Sequence, residues 1–201
     1  MKTKLVIACI FITLMCSLTS CLDMGAEETI YGKLNSLADE EHSRITVTVV
    51  SDHPLGTLEN EYRIEYSGAS QMEVSYYEEE FSLFEKADDD YILPTEAISY
   101  HQGSVSVKNG VIIEQQGEPP IADIKTIGAP KFSFEESFFS GVVSSEGSFS
   151  ADIENVRGFF GYPIAGTDFV LEVVYGEKLQ TLVITYLSLE KYNVQIKYQF
   201  Q

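Results

Sequence analysis

Tyr192-Asn193-Val194-Gln195-Ile196-Lys197-Tyr198-Gln199-Phe200 decides the fold. Successive side chains of a strand point to opposite faces, so Tyr192, Val194, Ile196, Tyr198 and Phe200 share one side and the four polar residues share the other. A helix would scatter the same apolar residues around its axis. One face of this segment must meet a core and the other water, as in an antiparallel sheet with one solvated side. The same period of two recurs upstream. Ile45, Val47 and Val49 alternate with Thr46 and Thr48, Tyr62, Ile64 and Tyr66 with Glu61, Arg63 and Glu65, and Met72, Val74 and Tyr76 with Gln71, Glu73 and Ser75.

The turns between such segments point to antiparallel pairing. Asn109-Gly110, between Ser104 to Lys108 and Val111 to Glu114, is the pair a type I′ hairpin requires, because both central residues need a positive φ. Gly176-Glu177, between Phe169 to Tyr175 and Leu179 to Leu187, suits a type II′ turn. The middle of the chain is punctuated by Glu118-Pro119-Pro120, Ala129-Pro130 and Gly161-Tyr162-Pro163, which reads as loops and short strands. There, Ser133 and Glu136 form a capping box predicting one helical turn through Phe138 and Phe139 before Gly141. Ahead of the first strand, Ile30, Leu34 and Leu37 recur at helical spacing over Thr29 to Glu41, with Thr29 as the N-cap, and predict a short amphipathic helix. The fold class expected is mainly β: an antiparallel curved sheet with one N-terminal helix. No fixed-period repeat or low-complexity linker divides residues 29–201, which read as a single domain.

The amino terminus reads as a targeting signal. Lys2 and Lys4 precede an apolar stretch from Leu5 to Leu18, broken only by Thr13 and Ser17 and free of acidic residues. The stretch falls short of the ~20 residues that a permanent membrane span needs. Leu18-Thr19-Ser20-Cys21 follows it directly and resembles the bacterial lipobox, in which an aliphatic residue and two small ones precede an obligatory cysteine. The resemblance implies cleavage between Ser20 and Cys21, diacylglycerol on the Cys21 thiol and acylation of the new amino group. Residues 1–20 are then the signal peptide and 21–28 a tether whose extended reach is only about 25 Å. Stable anchoring takes two acyl signals, and a diacylglyceryl cysteine carries them. Cys9 and Cys16 leave with the signal and Cys21 is blocked, so the mature chain has no thiol for a disulfide, a nucleophile or a metal site. Leu22 after the cysteine is not the aspartate that retains lipoproteins in the inner membrane of enteric bacteria. The expected location is the outer leaflet of the cytoplasmic membrane, or the outer membrane where the host has one.

An exported chain with one leading amphipathic helix (Ile30 to Leu37) followed by successive strands at Ile45, Tyr62 and Val74 is similar in layout to lipoprotein-carrier families typified by LolA and the LppX-like proteins. That resemblance implies an unclosed β-barrel, a sheet cupping helices and an apolar cavity for acyl chains. A β-sandwich with a leading helix fits the same pattern.

Composition limits the partners. With 31 Asp and Glu against 13 Lys and Arg, the chain carries a formal charge of -18, and its few cations are scattered. Nucleic acid is excluded as a partner, because binding it requires neutralising phosphates. Removing residues 1–20 also removes Lys2 and Lys4, so the exported body is more acidic still.

Little catalytic chemistry is visible. His42, His53 and His101 stand apart, without the ligand spacing of a zinc site, and read as surface or loop histidines. Ser188-Leu189-Glu190-Lys191 fits the Ser-x-x-Lys pattern of penicillin-binding enzymes but sits in a predicted turn without its partner motifs. Glu78-Glu79-Glu80 and Asp88-Asp89-Asp90 lack the spacing and turn glycine of a calcium loop and read as solvated hairpin tips. No catalytic residue, metal site or cofactor is expected. Aromatics crowd the middle third, and Phe132, Phe134, Phe138, Phe139 and Tyr162 are the candidates for lining an apolar ligand cavity, the competing role being to fill a β core. The function expected is that of a monomeric, membrane-anchored, non-enzymatic lipoprotein sheltering an apolar ligand or lipid. The alternatives are a surface module binding an envelope protein or glycan and, third, an envelope hydrolase.

Overall fold

The computed structural model describes residues 29–68, 70–81, 86–87, 90–91, 98–128 and 130–201. Cys21 and Ser20, with the rest of the leader and tether, and Asp88 and Asp89 of the second acidic run lie outside the described residues. So does Ala129 of the Ala129-Pro130 pair.

The predicted helix forms as α1, Ile30–Ala38, and Thr29 caps it by accepting the Gly32 amide at 3.1 Å. Leu34 and Leu37 are its buried residues. The strands are β1 (Arg44–His53), β2 (Gly56–Tyr66), β3 (Gln71–Phe81), β4 (Lys86–Ala87), β5 (Asp90–Tyr91), β6 (Ile98–Lys108), β7 (Val111–Gly117), β8 (Phe139–Ser145), β9 (Ser148–Ile153), β10 (Gly166–Tyr175), β11 (Leu179–Ser188) and β12 (Asn193–Phe200). Two further short helices are α2 (Ile124–Ile127) and α3 (Val156–Phe160).

Ten of the strands form one antiparallel, unclosed sheet in the order β7-β6-β3-β2-β1-β12-β11-β10-β9-β8, and β4 and β5 pair separately. The order describes two meanders. One runs outward from β1 to β7, the other inward from β8 to β12, and they meet where β1 pairs with β12. A single register line crosses all ten strands: Gly117, Gly103, Tyr76, Tyr62, Val47, Tyr198, Leu182, Val173, Phe149 and Ser144. Seven of these residues, from Tyr76 to Phe149, belong to the buried core. Alternation then leaves Glu61, Arg63, Glu73, Ser75 and Lys197 on the other, wet face.

Because β7 and β8 are opposite edges, the chain between them must traverse the sheet. At a strand spacing of about 4.8 Å the edges lie roughly 40 Å apart on a flat sheet, and residues 118–138 reach roughly 70 Å when extended. This crossing segment lies on the same face as α1 and buries Ile124, Phe132 and Phe134 in the core. Asn35 of α1 binds it as a strand would: its Nδ2 donates to the Phe134 carbonyl at 2.7 Å, and its Oδ1 accepts the Phe134 amide at 2.8 Å.

The turns divide. Asn109 and Gly110 have φ of 52° and 72°, as a type I′ turn demands. The β10–β11 turn differs from its prediction. Gly176 is not among the positive-φ residues, Tyr175 pairs with Leu179, and the Gly176 amide donates to the Lys178 carbonyl, so three residues and an adjacent irregularity replace the type II′ turn. The predicted capping box does not form either. The Ser133 amide donates to the Phe159 carbonyl, and the helical turn is a 3₁₀ turn over Glu136–Phe138 whose N-cap, Glu135, makes no side-chain cap. Tertiary hydrogen bonding to α3 overrides the local pattern.

Candidate functional site

The phenylalanines of the middle third pack on one another. Phe134 stacks with Phe139 at 6.1 Å between ring centroids and meets Phe159 edge-on at 5.4 Å, and Phe132 lies against Phe159 at 5.4 Å and Tyr198 at 5.0 Å. Phe138 and Tyr162 are half-buried beside them, with Tyr162 5.6 Å from Phe160. Edge-to-face and offset contacts of this kind are favourable in their own right. Phe132, Phe134, Phe138, Phe139 and Tyr162 thus fill the covered face, and neither of the two cavities described next is lined by them.

The first cavity, about 470 Å³, opens where α1 ends and β1 begins. Ala38, Ile45, Pro130 and the Tyr66 ring give it apolar walls, while Glu40, Glu41, His42, Ser43 and Lys131 bring polar groups to it. The His42 ring lies 4.7 Å from that of Phe200, and its Nε2 is enclosed without a hydrogen-bond partner among the described residues. Burial holds the His42 imidazole below its ordinary value against the opposing pull of Glu40, with Lys178 adding to the depression. Burial pushes the Tyr66 phenol up to about 12.

Pro130 and Lys131 belong to the crossing segment, so the shape of this cleft depends on what pins that segment down. Three sheet side chains do so. The Tyr66 hydroxyl donates to the Gly128 carbonyl at 2.9 Å, the Tyr76 hydroxyl donates to the Glu118 carbonyl, and Glu78 takes the amides of Ile121 and Ala122 at 2.6 and 2.9 Å. Glu78 also accepts the Tyr62 hydroxyl at 2.8 Å and is 0% exposed. The solvated-tip reading of Glu78 is therefore corrected. Alternation already held the signal, because Met72, Val74, Tyr76 and Glu78 share one face of β3. Gly103 makes the arrangement possible: a Cβ there would lie 2.3 Å from the Gln116 carbonyl oxygen and 2.4 Å from the Tyr76 hydroxyl.

The other histidines have partners that strand pairing brings in from a distance. His101 lies 3.0 Å from Glu80 and 3.7 Å from Glu118, and His53 lies 3.7 Å from Glu190 between the rings of Phe81 and Tyr192. Both are half-buried rather than loose in solvent. The second cavity, about 340 Å³, gathers Asp152, Glu154 and Asp168 near one edge. Among the described residues no group of three His, Cys, Asp or Glu side chains is placed to hold a metal ion, and no helix is long and apolar enough to cross a membrane.

No protein-family model matches the chain, and no curated protein matches it. Among solved structures it is similar to the dehydratase domain from the CurF module of curacin polyketide synthase, over 86% of this chain and 80% of that one, at 8% identity and a TM-score of 0.20. At that score the likeness carries no argument about fold or activity.

Proposed function

We propose that the chain is a non-enzymatic lipoprotein, held on the outer side of a membrane through Cys21, whose domain binds a small ligand in the cleft at the end of α1. The cleft carries this reading: its volume of about 470 Å³ lies within the roughly 300–1,000 Å³ of small-molecule sites. Apolar walls of Ile45, Pro130 and Tyr66 beside Ser43 and Lys131 suit a ligand with an apolar body and a polar end, which falls within the apolar ligand or lipid that the sequence leads one to expect. What supports the anchor is the lipobox sequence Leu18-Thr19-Ser20-Cys21 behind its apolar stretch. A surface interaction module is the second reading, and what favours it is that phenylalanine rings pack into the core on the covered face.

Two experiments test the proposal. Radiolabelled palmitate enters the native protein and not Cys21→Ala, which no longer fractionates with membranes; labelling that persists in the variant removes the anchor. The chain lacks tryptophan, so Glu41→Trp places a single indole in the cleft lining. Titration of that variant with a fluorescent fatty-acid probe shifts indole emission saturably, and native mass spectrometry shows a one-to-one complex. An unchanged emission together with a ligand-free mass removes the cleft as a site.

A further inference from the structure

The wet face of the sheet carries an aromatic pair that the core does not use. Alternation sends Met72, Val74, Tyr76 and Glu78 inward from β3 and Val105 and Val107 inward from β6, which leaves Tyr77 and Tyr100 pointing outward. Tyr77 is 39% exposed and Tyr100 55%, with ring centroids 5.9 Å apart and planes inclined by 32°. Sheet register fixes their surroundings. Tyr77 lies between Glu61 of β2 and Gln102 of β6, and Tyr100 lies opposite Glu79. The Glu79 carboxylate is itself held in place, accepting the Tyr77 hydroxyl at 3.1 Å and the Glu59 amide at 2.8 Å. Glu61 is engaged by Arg63 at 2.8 Å.

We infer that Tyr77 and Tyr100 form a stacking platform for a neutral glycan, whose hydroxyls are read by Glu79 and Gln102. Two exposed rings, 5.9 Å apart and tilted by 32°, offer large contact areas at little cost in side-chain entropy. Their separation is close to that of neighbouring sugar rings in a chain, so consecutive residues of one glycan meet both tyrosines. The polar frame selects the ligand. A fixed carboxylate accepts hydroxyl hydrogen bonds and an amide both donates and accepts them, and the charged groups that register and hydrogen bonding gather here are Glu59, Glu61 and Glu79, with Arg63 engaged by Glu61. Within a chain of net charge -18, this patch repels polyanions at distances up to the Debye length. A neutral, hydroxyl-rich polymer is the ligand chemistry that gains from the rings without opposing the charge. The platform is separate from the cleft beside α1, and either can fail without the other.

Affinity electrophoresis of the full chain tests this, using gels containing a soluble β-glucan, an α-glucan, a mannan or a xylan, with polygalacturonate as the anionic comparison. The expected result is retardation by at least one neutral polysaccharide, weakened roughly tenfold or more in Tyr100→Ala and Tyr77→Ala and retained in Tyr100→Trp. Tyr77→Phe, which keeps the ring, separates loss of stacking from loss of the Glu79 contact and stays within a few-fold of wild type. Retardation by none of the neutral gels, equal retardation of Tyr100→Ala, or preference for polygalacturonate overturns the inference. It is likewise overturned if the substitutions abolish self-association or capture of a protein and leave mobility in the glycan gels unchanged.

Discussion

Glu78 shows how much one residue governs here. It is a carboxylate in a wholly covered position whose partners among the described residues are the Tyr62 hydroxyl and two backbone amides, with no cation among them. Burying a carboxylate this way is tolerable because each oxygen has a donor, and removing the acceptor strands those donors in turn. Glu78→Ala is expected to cost about 4 kcal/mol, seen as a lower urea midpoint. Tyr62→Phe costs less, about 1–2 kcal/mol, because both amides keep their acceptor. The double variant is less destabilised than the sum of the two, since without Glu78 the Tyr62 hydroxyl has lost its acceptor; strict additivity in the cycle would refute this coupling. Sequence could expose this residue only halfway. Period two puts Glu78 on the apolar face of β3, but the run of three glutamates invites a solvated reading, and the donors that reverse it arrive from Ile121 and Ala122, more than forty positions away.

At the scale of elements, whatever depends on neighbouring residues was legible and whatever depends on tertiary contact was not. Thr29 capping α1, the alternating strands and the Asn109-Gly110 turn are each set by residues adjacent in sequence. The capping box at Ser133 failed because α3 supplies the partner for its amide, and the Gly176 turn failed because the pairing of β10 with β11 shifts register between Val174 and Tyr175, which no turn residue announces. Gly103 belongs with the second group: within a strand it reads only as a weak point, yet the close approach of Tyr76 and of the Gln116 carbonyl requires it. Gly103→Ala is expected to destabilise by about 3 kcal/mol through overpacking, with loss of amide protection in β7 and at Glu118. Unchanged hydrogen exchange in β7 would mean that Tyr76 does not hold this corner. In the same way, Asn35→Ala frees both backbone groups of Phe134 and costs about 2 kcal/mol, whereas Asn35→Asp keeps an acceptor for the Phe134 amide but leaves its carbonyl facing a carboxylate, and recovers at most part of it.

At the scale of the molecule, the phenols of the covered face set a limit on stability at high pH. Burial raises Tyr62 and Tyr198 far above the ordinary tyrosine value of 10.0 and Tyr66 to about 12. Above pH 10 the unfolded chain releases these protons while the folded chain keeps them, so the folded state binds more protons and stability falls as pH rises. Each such group removes about 1.4 kcal/mol per pH unit, beginning near pH 10 and, for Tyr66, ending near pH 12. Phenolate absorbance is expected to rise in two stages, the exposed tyrosines first and the buried ones together with loss of circular dichroism. A single smooth titration with the fold intact would contradict the packing of Tyr62 and Tyr198. The mainly β architecture was readable from period two, but the strand order was not: nothing local to β1 announces β12 as its neighbour, and the filled covered face follows from the crossing segment that this order compels.

That adjacency of β1 and β12 also has a temporal side. A ribosome delivers residues 45–51 some 150 positions before the partners that zip against them, so the amino-terminal meander waits with a naked backbone edge and half its aromatic filling missing. The outer neighbour of the waiting half comes only with the late closing strand, whose long-range loop is costly to close. A nascent polypeptide of this design lacks its closing strand until almost all of it has been made, a state in which a narrow channel would meet an unfinished sheet.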